Sequence, residues 1–402
     1  MDVYEPAEDS YLLQKHVRQY AAGRILDVGT GSGIQALAVV SLAGVREVVA
    51  VDINETAIQQ LQDHIKKNKL RKIKAIRSDL FENVDGQFNL IIFNPPYLPQ
   101  DKGIEDSALY GGKKGWELSE RFFTEVSRYL FAEGMILFLF SSLTNKEKIE
   151  EIISHHLFQF AELERTKLAF EELYVYEIKK SSLLRELEGK GIENIHYVAQ
   201  GKRGVIYKGA WDKSKLVKSH FPSRRNIITV AIKTKKAESK AEGRIANEAK
   251  WLPILNKKGI GPSFQFSGDN YLVYGFVEGE FIIDWIKHHS KEEIKNILRE
   301  VLEQCFMMDQ LRVNKEEMHH PVKHIIVTKD NTPVLIDFER CHETEQPQNV
   351  TQFVEFICRL QNELHKKDVV INPKMAREQA KEYKEEPTRS SFQALLQALF
   401  WD

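Results

Sequence analysis

Four consecutive residues, Asn94-Pro95-Pro96-Tyr97, combine side chains suited to one kind of chemistry. A carboxamide beside a fixed main-chain carbonyl offers two acceptors that can hold an –NH2 group, and Tyr97 can lie flat against a planar group. That combination suits methyl transfer to a planar nitrogen. Two prolines also end a strand, because proline has no N–H for the ladder, and each holds the residue before it extended. The apolar run Phe88-Asn89-Leu90-Ile91-Ile92-Phe93 just upstream reads as a buried parallel strand. Asn94 then stands at the carboxyl end of a central strand, where open α/β sheets bind ligands. A plain strand-end turn is the alternative reading of the four residues.

The elements that must position this stretch lie upstream. Arg24 to Gly29 ends a first strand, Thr30-Gly31-Ser32-Gly33 follows, and a helical pattern starts at Ile34. Glycines there let the backbone turn sharply and a ligand approach closely. The strand Val48 to Val51 ends in Asp52, where a carboxylate can accept both hydroxyls of a ribose. The strand Ile73 to Arg77 is followed by Asp79, placed to accept from an adenine amino group, with the Leu80 N–H nearby. Each acid alone reads equally as a helix cap or turn former. Asp27 with Gly29, Asp52, Asp79 and Asn94, on four successive strands, together imply a ligand with an adenine and a ribose. No phosphate-binding lysine accompanies them, so S-adenosylmethionine fits better than a dinucleotide. Residues 1 to about 180 alternate strands with amphipathic segments, as a helix-covered parallel sheet does. Further strands are read at Gly134–Phe140, Leu157–Leu163 and Leu173–Ile178, the last ones antiparallel, and residues 98–115 as a loop over the substrate.

At this point residues 3 to about 180 resemble the HemK-type protein-glutamine methyltransferases. Asp27-Val28-Gly29-Thr30-Gly31-Ser32-Gly33 and Asn94-Pro95-Pro96-Tyr97 carry the likeness. Val3-Tyr4-Glu5-Pro6-Ala7-Glu8-Asp9-Ser10, Gly111-Gly112 and Arg121-Phe122-Phe123 are similar to the short eukaryotic and archaeal branch, whose core also starts almost at Met1. The resemblance implies a Rossmann-like seven-stranded α/β domain. It implies as substrate the glutamine of the Gly-Gly-Gln loop of a class-1 translation release factor, and as partner a small zinc-binding activator protein covering an apolar strand edge. It implies that Ser10, Asp27, Gly29, Asp52, Asp79 and Leu80 line the cofactor pocket and that Asn94 to Leu98 hold the glutamine. Adenine or lysine methylation at the same site stays open.

Lys179-Lys180-Ser181-Ser182 reads as a polar linker, giving domains over 1–180 and 183–402. In the second half, Gly201-Lys202-Arg203-Gly204 reads as the turn of a glycine-rich hairpin, and Val230-Ala231-Ile232-Lys233 as a strand with one inward lysine. Glu248 lies on a charged helical stretch, and Asp337 ends the strand from Val334 as a metal-binding acid. A lysine on nucleotide phosphates held by a helix glutamate is what protein kinases need. The order resembles the RIO-like atypical kinases of archaea, which implies an α+β two-lobed protein-kinase-like domain binding ATP and Mg²⁺. The catalytic loop departs from that pattern: His324, a less usual Mg²⁺ ligand than oxygen, stands as the metal ligand beside Asp337 where an asparagine is usual. Glu317 as base and Lys323 on the γ-phosphate are the assignments it allows, beside a nucleotide-binding pseudokinase scaffold. The basic stretch from Gly209 to Thr229, with Lys213, Lys215, Lys218, Arg224 and Arg225, reads as a solvated loop or a contact to RNA or the release factor. Helical spacing of Phe392, Leu395, Leu396, Leu399 and Phe400 predicts a tail packed on this domain.

Composition bounds the rest. Lys+Arg 57 against Asp+Glu 58 among 402 residues gives no global reason for direct nucleic-acid binding. Cys305, Cys341 and Cys358 lack metal-ligand spacing, which fits a reducing cytoplasm. No apolar run approaches the ~18 residues of a membrane span, and no signal peptide is read at the start.

Overall fold

Valine- and isoleucine-rich runs separated by amphipathic stretches build the first half. A computed structural model of the chain describes residues 3–97, 112–201, 204–216, 226–235 and 244–400. Its contacts divide the chain into two units, residues 1–197 with 210–227, and residues 198–209 with 228–402.

The first unit holds a seven-stranded sheet. Its strands are β1 (Gly23–Val28), β2 (Val45–Asp52), β3 (Ile73–Arg77), β4 (Phe88–Phe93), β5 (Leu130–Ser141), β6 (Phe158–Lys167) and β7 (Glu172–Lys180). They lie in the order β3-β2-β1-β4-β5-β7-β6. The pairs β1/β2, β2/β3, β1/β4 and β4/β5 are parallel, and β7 runs antiparallel to β5 and β6. The helices are α1 (Glu8–Tyr20), α2 (Ile34–Val39), α3 (Glu55–Lys67), α4 (Glu117–Glu125) and α5 (Lys146–His155). This is the Rossmann-like seven-stranded sheet that the resemblance implies.

Strand order reverses between β1 and β4, and that switch point opens a crevice at their carboxyl ends. Val28 pairs with Phe93, so the glycine loop and Asn94 leave the sheet side by side. Every residue of β4 except Asn89 is buried, as a doubly covered parallel strand requires. On one face, Leu13, Val17, Ala36, Val39, Ile58 and Leu61 from α1, α2 and α3 pack on Ile25, Val48, Leu90 and Ile92. Elsewhere the core is aromatic: Phe93 and Phe122 have ring centroids 4.3 Å apart, and Phe123 meets Phe138 edge-on at 5.4 Å. That contact braces the end of β4 with α4. The α3 helix is capped by Asn54, with Glu55 in its first turn and Lys66 and Lys67 in its last.

The stretch Lys179–Ser182 is not a free spacer, which corrects the linker reading. Lys179 and Lys180 finish β7, and Ser181 caps the helix Ser182–Gly189. Lys180 is buried with its ammonium 2.6 Å from Glu188. A polar sequence was satisfied here by a cap and an ion pair rather than by solvent.

In the second unit, strands Ile227–Lys235 and Phe264–Ser267 flank Tyr271–Gly275 antiparallel. The helix Arg244–Asn256 contributes Trp251, Leu252 and Leu255 to a core shared with the helices Lys291–Gln310, Asn349–Arg359, Pro373–Glu385 and Arg389–Phe400. Phe392, Leu395, Leu399 and Phe400 are buried in that core, with Leu396 against it. The short strand Val313–Lys315 pairs with Cys341–Glu343, which brings the segments around Glu317 and Asp337 together. The three cysteines are buried and unpaired. No described helix is long and apolar enough to cross a membrane.

Candidate active site

The glycine loop between β1 and α2 depends on backbone conformations that side chains resist. Gly29 has φ +64° and Gly33 φ +81°. A Cβ on Gly33 would stand 2.7 Å from Cδ1 of Leu61, so glycine there also lets α2 approach α3. The loop is tied to β2 by Asp52: its Oδ2 accepts from the Gly31 N–H at 2.8 Å and its Oδ1 from the Asn54 N–H at 2.8 Å. Each carboxylate oxygen keeps a lone pair for a ligand hydroxyl.

A cavity of about 240 Å³ opens above this loop. Ser10, Asp27, Gly29, Gly31, Asp52, Asp79, Leu80, Asn94, Pro95, Pro96 and Tyr97 all line it. Gly33 stands behind it as the N-cap of α2. Leu98 and Gly111, with residues 98–111 as a whole, lie outside the described residues. Asp79 Oδ2 accepts from Arg121 at 2.8 Å, which holds that acid in place from α4. Leu80 adopts φ +46°, a conformation uncommon for a leucine and consistent with a backbone set for its surroundings.

The amide of Asn94 is oriented by a residue whose role the sequence did not reveal. Its Nδ2 donates to Oδ2 of Asp9 at 2.8 Å. Asp9 Oδ1 accepts from the Ser10 N–H at 2.6 Å, the Ser10 hydroxyl at 3.2 Å and the Tyr4 hydroxyl at 3.1 Å. With Nδ2 committed, Asn94 Oδ1 is left buried and without a partner among the described residues. Gln35 repeats the arrangement: its Nε2 donates to the Ser10 carbonyl at 2.8 Å, and its Oε1 has no partner among the described residues. Both line the cavity. Unsatisfied buried acceptors are destabilising by about 1–3 kcal/mol each, so their convergence marks a place for ligand donors. Burial pushes the Tyr97 and Tyr4 phenols well up, with Glu171 and Asp9 adding to it, so both stay neutral. Asp9 and Tyr4 stand in the quoted opening motif. Gln35 and Glu171 carried no sequence signal.

The residues present fit S-adenosylmethionine: acceptors at Asp52 and Asp79, a glycine cradle, and orphaned oxygens on Gln35 and Asn94. Burial drives the Asp27 carboxyl from its ordinary 3.8 up to about 7, against hydrogen bonds from the Thr30 hydroxyl and the Ala36 N–H. Between those values the folded state holds a proton that the unfolded chain has released. Stability of the ligand-free protein therefore falls as pH rises through that window. Asp27→Asn removes the slope, on the order of 1–4 kcal/mol in all. Melting at pH 5 and pH 8 checks this: the variant gains on the wild type only at the higher pH.

The second unit assembles a separate cluster. Lys233 Nζ lies 2.6 Å from Glu248 Oε2, 2.9 Å from Asp337 Oδ1 and 3.7 Å from Glu339 Oε2. Glu248 Oε1 accepts from the Phe338 N–H at 3.0 Å. Burial opposes the Lys233 charge, but Glu248 and Asp337 outweigh it and hold the ammonium well above its usual range. Lys315, fully buried and unsuspected from the sequence, donates to the Asp337 carbonyl at 2.5 Å and meets His324 Nδ1 at 3.3 Å. Burial and Lys315 push the His324 imidazole down from its usual value, and its Nε2 lies 3.3 Å from Glu317 Oε2. Glu317 also receives Arg340 at 2.6 Å. Both Glu317, at φ +74°, and Asp337, at φ +63°, lie in the left-handed region. Lys323 is exposed, and the lysine that joins Lys233 inside the cluster is Lys315. The expected metal pair of Asp337 and His324 is brought close but not freed. Lys233 holds the carboxylate, Lys315 and Glu317 hold the ring nitrogens, and no metal-binding group of three such residues occurs among the described ones. As it stands this donor set does not fit Mg²⁺. Gly201 and Gly204 close their hairpin, with the Gly201 N–H donating to the Gly204 carbonyl at 2.9 Å. Lys202, Arg203, Lys218, Arg224 and Arg225 lie outside the described residues.

Comparison with known proteins bears on the first unit. A model of the methyltransferase small domain matches residues 7–168. A putative protein N5-glutamine methyltransferase of Methanocaldococcus jannaschii is 39% identical over 179 residues, 43% of this chain and 90% of the relative. The human methyltransferase HEMK2 is 32% identical over 170 residues, 38% of this chain and 78% of the relative. Among solved structures, a chain of the E. cuniculi Mtq2–Trm112 complex, responsible for methylating the eRF1 termination factor, is similar at 25% identity and a TM-score of 0.37. It covers 45% of this chain and 100% of that one. Through its first unit, with the glycine loop on β1 and Asn94 at the end of β4, the chain belongs to the HemK-type S-adenosylmethionine-dependent protein-glutamine methyltransferases.

Proposed function

We propose that the first unit methylates the side-chain nitrogen of the glutamine in the Gly-Gly-Gln loop of a class-1 translation release factor, in a reducing cytoplasm. A small zinc-binding activator protein would assist it. The observation that carries this is the Asn94 carboxamide, turned by Asp9 so that its oxygen is buried, without a partner among the described residues and part of the cavity lining. Several relatives are release factor glutamine methyltransferases, one of them from Deinococcus radiodurans at 31% identity over 136 residues.

An amide nitrogen is a poor nucleophile because its lone pair is delocalised. S-adenosylmethionine, when bound, supplies a methyl group activated by a sulfonium. Asn94 Oδ1 and the Pro95 carbonyl accept the amide N–H bonds and hold the nitrogen for in-line attack, which is catalysis by position and electrostatics. The neutral Tyr97 ring walls the planar amide and excludes water. Mass spectrometry of a release factor incubated with this protein and labelled S-adenosylmethionine, with and without an activator, tests the reading. One methyl on the Gly-Gly-Gln glutamine is expected; a methyl found only on lysine or on nucleic-acid adenine overturns it.

For the second unit, we infer an ATP-binding module on protein-kinase lines, with Lys233 as the phosphate ligand and Glu248 as its holder. The three-way pairing of Lys233, Glu248 and Asp337 supports this. Glu317 is its candidate base. The acids there are engaged by cations, Glu248 and Asp337 by Lys233 and Glu317 by Arg340, and as they stand do not hold Mg²⁺.

A further inference from the structure

Methylation leaves the amide nitrogen positively charged, and a proton must go somewhere. Several groups near Asn94 are poor acceptors. Asp9 is filled by Tyr4, Ser10 and Asn94. Asp27 Oδ2 is turned to Thr30 and Ala36. The phenols of Tyr4 and Tyr97 are neutral and hold their protons.

Glu171 differs from all of these. It lines the same cavity, and its Oε2 is buried with no hydrogen-bond partner among the described residues. It sits in the tight turn between β6 and β7, closed by the Leu168 N–H donating to the Glu171 carbonyl at 2.8 Å. That turn is fastened to the Asn94 side of the site. The Glu172 N–H donates to the Ser142 hydroxyl at 3.0 Å, and the Thr144 hydroxyl, on the same single helical turn, donates to the Tyr97 carbonyl at 3.1 Å. A carboxylate oxygen kept out of water without a donor is unfavourable unless a ligand brings one.

Resting on the glutamine reading above, we propose that Glu171 is the catalytic base that receives the proton of the amide nitrogen as it is methylated. The nitrogen lone pair forms the N–CH3 bond while the S–CH3 bond breaks, its electron pair staying on sulfur. In the same step one N–H bond gives its electrons to nitrogen and its proton to Glu171 Oε2. The products are the N-methylamide, the neutral thioether and a protonated Glu171, which loses its proton to water on product release.

The test is single-turnover methyl transfer from labelled S-adenosylmethionine to a class-1 release factor, using the full chain and its Glu171→Gln and Glu171→Ala variants. The expected result is a rate ~10²-fold below wild type in both variants. Added formate should restore part of the rate in Glu171→Ala and none in Asn94→Ala. Affinity for S-adenosylhomocysteine, read by calorimetry, should be unchanged. A Glu171→Gln rate close to wild type, or no response of Glu171→Ala to formate, overturns the assignment. A parallel loss of S-adenosylhomocysteine affinity gives Glu171 a structural role and also overturns it. No glutamine methylation by the wild-type protein, with S-adenosylhomocysteine still bound, instead takes down the substrate reading and this step with it.

Discussion

Asn94→Ala will slow methyl transfer by ~10²–10³-fold while leaving the affinity for S-adenosylmethionine close to wild type. The lost oxygen is the one that Asp9 turns into the cavity. The groups proposed to face the cofactor line the cavity from other elements: Asp52 on β2, Asp79 after β3, and Gly29 and Gly31 after β1. Ground-state cofactor binding and acceptor positioning are therefore separable. The fall should appear in kcat far more than in KM for the cofactor, since the interaction matters most when the nitrogen is attacked. Asp9→Ala should give a smaller loss in the same direction. The amide then remains but is free to flip, and only part of its time is spent with oxygen forward. Calorimetry for cofactor binding and single-turnover rates for transfer measure the two halves. Equal loss of both in Asn94→Ala would mean that the residue holds the cavity together rather than the substrate.

Lys233→Met will destabilise the second unit by about 3–5 kcal/mol and, on the proposed ATP-binding reading, abolish nucleotide binding there. Lys233 is almost enclosed, with 12% of its side chain exposed, and Glu248 keeps only 2%. Removing the ammonium leaves the buried Glu248 and the partly exposed Asp337 without their cation, which is far more unfavourable than losing the Lys233–Glu248 pair together. The double variant Lys233→Met with Glu248→Gln should recover much of the stability and none of the nucleotide binding. Scanning calorimetry and a fluorescent ATP analogue read the two effects. A single variant as stable as wild type would show that the pair is solvated in solution and that the burial argument fails.

Much of the first unit was legible in the chain because its signals are local. The strand Phe88–Phe93, its proline stop, the start of α2 at Ile34 and the acids at the ends of β2 and β3 all follow from periodicity, missing N–H groups and glycine freedom within a few residues. These determined the sheet, the cofactor-side acids and Asn94. The Lys179–Ser182 stretch misled, since two lysines and two serines look like solvent-facing spacer until a cap and a buried ion pair absorb them.

Tertiary structure decided what the side chains do. Asp9 lies 85 residues from Asn94, and Lys233 lies 104 from Asp337. No periodicity spans such distances. The direction of the Asn94 amide, the orphaned oxygens of Gln35 and Glu171, and the entry of Lys315 rather than Lys323 into the second cluster arise only when distant elements meet. The physical reason is the same in each case. A residue type states which donors and acceptors exist, whereas burial against other elements decides which of them stay unsatisfied and available for a ligand.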